Sequence, residues 1–229
     1  YSSTDGVLFD KAGEILFCYP LGKAATSYAI PSTVKRIEGD AFSGAASLEA
    51  ISMPSGLQTI EGNAFRYCTG LTSATIPAGV SSITGAPFAG CSKLDFAVEG
   101  SSAYYVVTGG VLLSADGKTL VQYPQKADAT SYSIPYGVVE LADQAFVYCS
   151  KLTSLSLPAS LAEIGWSTFF SCSGLATVYV QASSPPDLGG DTDPFPSVAS
   201  LTIHVPSGSL DAYQAAAGWN NAKHTLVSP

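Results

Sequence analysis

Apolar residues in this chain keep two beats, and the switch between them recurs every 23 residues. From Val138 to Leu152 they fall three or four apart, at Val138, Leu141, Ala145, Cys149 and Leu152. That spacing predicts a helix, or a run of helical turns, with one buried face. From Leu152 to Leu157 they fall three and then two apart, which predicts a short strand with Leu155 and Leu157 turned inward. Pro158 ends the strand, because proline has no amide hydrogen to give a ladder. The same switch runs from Pro54 through Leu57, Ile60, Phe65, Cys68 and Ile76 to Pro77. Prolines at 31, 54, 77, 135 and 158 mark the beat, as do phenylalanines at 42, 65, 88, 146 and 169.

Self-similarity at such a period is the signature of a solenoid. One unit cannot fold alone. Its roughly seven apolar side chains stabilise by about 1.5–3 kcal/mol each when buried, while ordering each residue costs about 1–2 kcal/mol in backbone entropy. Stacked neighbours must cover its two open faces. Eight strand segments can be counted, ending near Pro31, Pro54, Pro77, Gly100, Pro135, Pro158, Gln181 and Pro206. A whole block also recurs after 104 residues, so residues 1–104 and 105–206 read as a tandem duplication within one solenoid, with 207–229 as a C-terminal cap. In two rungs the helical part is replaced. Val7-Leu8-Phe9 to Phe17-Cys18-Tyr19 and Val111-Leu112-Leu113 to Val121-Gln122-Tyr123 each flank a polar turn and read as β-hairpins.

The repeat and its Asp5-Gly6-Val7-Leu8 insert resemble the BspA-like bacterial surface leucine-rich repeat family, and the resemblance covers essentially the whole chain. The segment from Ile203-His204-Val205-Pro206 to Gly218-Trp219 is similar to the terminal segment common in that family. The resemblance implies an α/β repeat solenoid, a curved leucine-rich repeat of about eight 23-residue rungs with two hairpin inserts and a C-terminal capping helix. It also implies a secreted or surface-displayed bacterial protein whose role is adhesion or host-protein binding. It transfers no catalytic residues.

Composition narrows the partners. Net charge is −8, and the ten Lys and Arg form no run, so the electrostatic footprint of nucleic-acid binding is missing. No apolar stretch approaches the length of a membrane span. Tyr1 aligns with Tyr105 in the middle of the repeat, so an upstream region is expected, one that could hold an export signal. At the other end, Ser207 or Ser209 can cap a short helix in which Leu210, Tyr213 and Ala217 share a face and Gly218 is the stop. That helix would shield the last open rung, and this end reads as natural.

Most reactive side chains have structural readings. Cys68, Cys91, Cys149 and Cys172 share one repeat position where Ala45 also occurs. They read as buried free thiols, and Cys18 has no required partner. Glu38, Glu61, Glu140 and Glu163 fall near the start of each helical part, where they would complement unpaired amides. Asp187, Asp191 and Asp193 could offer oxygen ligands to calcium, but the spacing lacks a terminal acidic residue and reads as a solvent loop. No metal or other cofactor is expected. Of two histidines, His204 should point outward between Ile203 and Val205 and His224 lies in the tail. Neither has a nucleophile context, and no catalytic residue is assigned.

The outward strand face remains. Its positions are mostly Ser and Thr with few charges, although leucine-rich-repeat solenoids bind partners on this face. Only the C-terminal end, with Tyr179 and His204 flanked by Thr177 and Thr202, has hot-spot chemistry. These four residues are the candidate partner-binding site, for a protein such as an extracellular-matrix or host-surface protein. The alternatives are a passive spacer and a glycan binder. The latter would need the hairpin tyrosines Tyr19, Tyr104, Tyr105 and Tyr123 as its stacking platform.

Overall fold

Backbone amides decide how the repeat folds. In the computed structural model, which describes residues 1–221 and 223–229, the stretch with three- and four-residue spacing is a series of tight turns. Asn63 and Tyr67 take φ of 61° and 55°, and Gln144 and Tyr148 take 59° and 62°. A left-handed residue at every fourth position stops a right-handed helix from propagating. The amides that a helix would bond internally go to the next rung instead. Phe42 N donates to the Ala64 carbonyl at 2.7 Å, Phe65 N to Pro87 at 2.7 Å and Phe146 N to Thr168 at 3.0 Å. Intervening residues close short turns, such as Cys68 N to Phe65 O at 3.1 Å. Of the two expectations, helix or helical turns, the chain takes the turns.

Residues 1–116 and 121–126 form one unit, and 117–120 with 127–229 form a second. The first opens with β1 (Ser2–Thr4), β2 (Val7–Phe9) and β3 (Ile15–Cys18), each antiparallel to the next. The expected hairpin is present, and β1 adds a third strand that the sequence reading did not anticipate. Strands of a parallel ladder then alternate with two-residue strands: β4 (Ser27–Ala29), β5 (Arg36–Ile37), β6 (Ala50–Ser52), β7 (Thr59–Ile60), β8 (Ser73–Ile76), β9 (Ser82–Ile83) and β10 (Asp95–Val98). The ladder runs β10-β8-β6-β4, and β5, β7 and β9 extend the sheet of β1, β2 and β3. A further hairpin, between strands that the sequence pattern did not pair, joins β11 (Tyr105–Thr108) to β12 (Val111–Ser114). Its turn residues Gly109 and Gly110 both take positive φ, 59° and 82°, as a two-residue hairpin turn of this twist requires.

The core of this unit is a column of rings. Phe42, Phe65 and Phe88 stack at 4.9 and 5.1 Å, and Tyr19 stacks on Phe42 at 5.1 Å. At the end of the column Phe88 N takes a side-chain acceptor, the Oε1 of buried Gln122 at 3.4 Å.

The second unit holds the first two residues of β13 (Thr119–Gln122), then β14 (Ser131–Ser133), β15 (Glu140–Leu141), β16 (Ser154–Leu157), β17 (Glu163–Ile164), β18 (Thr177–Val180), β19 (Leu201–His204), α1 (Leu210–Ala215) and β20 (His224–Val227). Its ladder runs β14-β16-β18-β19-β20, parallel throughout. Phe146, Phe169 and Phe195 form the ring column, at 5.6 and 4.8 Å. Here side chains also serve as acceptors: Ser167 N donates to Asp191 Oδ2 at 3.1 Å and Ser171 N to Ser197 Oγ at 3.1 Å.

The C-terminal segment differs in part from expectation. The capping helix is present, but Ser209 caps it without a side-chain hydrogen bond. Of the three residues expected on its buried face, only Tyr213 is buried, and Ala217 lies outside the helix and is exposed. Tyr213 donates its hydroxyl to the Ala182 carbonyl at 2.8 Å, and Trp219 Nε1 donates to Pro186 O at 3.0 Å. Gly218 is buried at φ 80°, where an added Cβ would lie 2.5 Å from Leu188. The chain then returns as β20, which takes the edge beside β19 and makes a ninth ladder strand after the eight expected.

Candidate functional site

Alternation along the second ladder decides which side chains face out. Leu155, Leu157, Val178, Val180, Ile203 and Val205 are buried. Ser154, Ser156, Thr177, Tyr179, Thr202 and His204 therefore take the opposite face. Parallel pairing sets them in two rows across the strands. Ser154, Thr177 and Thr202 form one row, continued by Thr225; Ser156, Tyr179 and His204 form the other, continued by Val227. The four candidate residues thus sit together as two neighbouring pairs. His204 points outward, as its place between Ile203 and Val205 predicted.

Tyr179 and His204 stack face to face, with ring centroids 4.6 Å apart and planes 17° from parallel. They border an open groove of about 900 Å³. Its walls are Pro206, Val227 and Pro229, and Gln181 joins its rim by donating from Nε2 to Ser156 Oγ at 3.2 Å. Thr202 lines the groove and Thr177 does not. No carboxylate, ammonium or guanidinium side chain belongs to the lining. The sequence reading missed the wall formed by Val227, Ser228 and Pro229 because it placed these residues in a tail. A signal existed: Thr202 and Thr225 are 23 residues apart, between Leu201 and Ile203 in one case and His224 and Leu226 in the other.

His224 therefore belongs to a strand. Its ring meets Phe195 edge-on at 5.5 Å, and neither ring nitrogen has a hydrogen-bond partner among the described residues. Burial holds its pKa below the ordinary histidine value; Asp193 opposes that shift and Lys223 adds to it.

Other candidate groups are engaged elsewhere. Asp187 Oδ1 accepts from Gly189 N at 3.0 Å, Asp191 Oδ1 from Asp193 N at 3.0 Å, and Asp193 Oδ2 pairs with Lys223 Nζ at 2.9 Å. Asp191 also holds Ser167 N, so this loop closes the end of the turn stack. The glutamates do not stand at helix starts. Arg36 contacts Glu38 at 2.9 Å and Glu61 at 3.2 Å, while Thr119 donates to Glu140 at 3.0 Å. All five cysteines are free, and only Cys18 is exposed. The buried thiols of Cys68, Cys91 and Cys172 donate to the carbonyls of Phe42, Phe65 and Phe146 at 3.0–3.1 Å. A thiol thus adds a weak donor to the small volume that Ala45 also fits. Burial pushes the Cys149 thiol up, and that of Cys172 to about 12.

The hairpin tyrosines do not form the platform that glycan stacking would need. Tyr19 and Tyr123 are buried, and Tyr105 is half-buried with its hydroxyl accepting from Ile83 N at 2.8 Å. Only Tyr104 is exposed. The Tyr19 and Tyr123 rings sit in the core because each hairpin needs a large apolar body to seal its rung. Exposed aromatics occur elsewhere, on the turns of the second unit: Tyr136, Trp166 and Phe170, the last edge-on to Tyr148 at 6.2 Å.

Residues 17–103 and 123–185, more than half of the chain, match the BspA type leucine rich repeat region in six copies. The chain belongs to this family. Among solved structures, this BspA-type module is similar to a leucine rich cell surface protein from Faecalibacterium prausnitzii, with 24% identity, a TM-score of 0.60, and coverage of 88% of this chain and 59% of that one. It is similar to the pneumococcal vaccine antigen PcpA, with 21% identity, a TM-score of 0.60, and coverage of 79% and 56%. A leucine-rich repeat protein from Eubacterium ventriosum gives 15% identity, a TM-score of 0.60, and coverage of 89% and 66%. At these identities the likeness concerns the fold, and the module spans between about half and two thirds of each relative. No curated protein matches it. No helix among the described residues is long and apolar enough to cross a membrane.

Proposed function

We propose that this module is a non-catalytic binding protein displayed outside a bacterial cell, and that it engages a protein partner at the C-terminal end of its strand face. The observation that carries the reading is the stacked Tyr179–His204 pair beside an uncharged groove, on a face otherwise dressed with Ser and Thr. Binding energy concentrates at aromatic residues next to apolar pockets, whereas small hydroxyls contribute little. Surface display draws support from the printed names of two relatives, a cell surface protein and a vaccine antigen. Adhesion to a host matrix protein is the form of this function we favour.

The test is a binding screen of the folded chain against immobilised fibronectin, fibrinogen, laminin and mucin, beside the variant Tyr179→Thr/His204→Ala. Saturable binding to one protein, weakened at least about tenfold in the variant, is the expected result. Silence across the panel would favour a spacer that presents another domain. Turnover on a substrate panel would overturn the non-catalytic part.

A further inference from the structure

Tyr179 and His204 stack at 4.6 Å, about the 4.7–4.9 Å spacing of neighbouring strands. Their ring planes therefore face along the ladder, and each ring covers one face of the other. Val227 stands in register beside the second face of His204. Beside the second face of Tyr179 stands Ser156, and beyond it Ser133. A serine side chain ends one atom past Cβ, so the stack stops at an open ring face above two small residues. Tyr179 is 47% exposed. The amide of Gln181, bonded to Ser156 Oγ, closes one side of this space.

We infer that the open face of Tyr179 is a slot for one ring side chain, aromatic or prolyl, carried by a segment of a protein partner with a neutral centre and basic flanks. The inference rests on the protein-binding reading above and names what that site takes. The ring lies over Ser156 and continues the Tyr179–His204 column by one step. Its neighbours in the segment run along Pro206, Val227 and Pro229.

Two features choose this occupant. A pyranose would bring a circumference of hydroxyls against walls of Val and Pro, leaving several without partners, and each such loss is costly. A phenyl, indole or pyrrolidine ring has no such groups, and aromatic-lined grooves are suited to proline-rich and aromatic segments. The second feature is charge. The groove has no charged side chain in its lining, while the chain carries −8. A segment with a neutral centre and basic flanks is drawn in by the field without burying a charge.

The test is a phage-displayed random-peptide library panned on the immobilised full chain, with the Tyr179→Thr/His204→Ala variant as counter-selection. Enriched sequences should carry an aromatic or prolyl residue, lack Asp and Glu at the core, and favour Lys or Arg at the flanks. Synthesised peptides should lose roughly tenfold or more in affinity against Ser156→Phe, which fills the slot from within. Against Ser156→Ala, which leaves it open, they should be little changed. Unchanged urea midpoints would certify that both variants are folded.

Failure to enrich any peptide over the counter-selection overturns the slot, as does equal binding to Ser156→Phe. So does a glycan array that lights up on the chain and goes dark on Ser156→Phe, since the slot would then hold a sugar. The two readings separate cleanly. A matrix protein that still binds Ser156→Phe keeps the binding-module reading and removes the slot. Peptides that respect the slot, with silence from the protein panel, keep the slot and remove the proposed class of natural partner.

Discussion

Two ladders built on one repeat end differently. In the first unit, the outward positions of β8 and β10 that correspond to Tyr179 and His204 are Thr75 and Ala97, paired in register. Both faces rest on the same inward alternation, with Ala74 and Ile76 in one unit and Val178 and Val180 in the other. The backbone is common property of the family. The rings are peculiar to the second unit, as is a further strand, β20, that supplies the groove's outer wall. A solenoid holds its fold with the inward positions and is free to vary the outward ones, so chemistry is most informative where duplicated outward positions disagree.

The largest expected effect tests what the units share. Phe65→Ala and Phe146→Ala each remove one ring from a column and should cost about 3–5 kcal/mol, read as a lower urea midpoint. Similar losses at the two sites would confirm equivalent cores. Gln122→Ala tests how the first column is finished. It leaves the Phe88 amide without its acceptor and should cost about 1–3 kcal/mol in the same assay.

Exchanging the outward residues sharpens the contrast. Tyr179→Thr/His204→Ala gives the second unit the first unit's side chains. It should lose partner binding while unfolding within about 1.5 kcal/mol of the parent, the scale of one aromatic pair. Stability and binding respond separately if the rings serve recognition.

His224 allows a pH test of the strand that only the second ladder has. Its folded pKa is depressed by burial, so on acidification the unfolded chain takes the proton first. The stabilisation is complete above the unfolded value of about 6.5. It is lost as pH falls from there through the folded pKa. The ring faces Phe195, and Asp193 and Lys223 are the charged groups acting on it. His224→Leu should narrow the gap between urea midpoints measured near pH 7.5 and near pH 5. An unchanged gap would place the acid sensitivity elsewhere. The smallest effect belongs to the hydroxyl face, where Ser154→Ala should shift stability by no more than about 0.5 kcal/mol.

The periodicity alone determined the solenoid, eight of the nine ladder strands, the inward residues and the outward placement of Tyr179 and His204. Those features follow from local rules, since alternation fixes a side chain's direction and a repeat fixes its neighbours. Three features were decided only by tertiary structure. The spacing of Val138, Leu141 and Ala145 suits a helix as well as a turn, and the choice fell to turns because amides such as Phe146 N bond the next rung. Tyr19 and Tyr123 looked available in sequence, but they seal the hairpins' rungs from inside. Residues 224–227 look like a tail until β19 offers them an unpaired edge, and they then become the wall of the groove. Each of these outcomes rests on a hydrogen bond or a contact between residues far apart in the chain, and local pattern alone does not choose such partners, even where the 23-residue spacing of Thr202 and Thr225 hints at one.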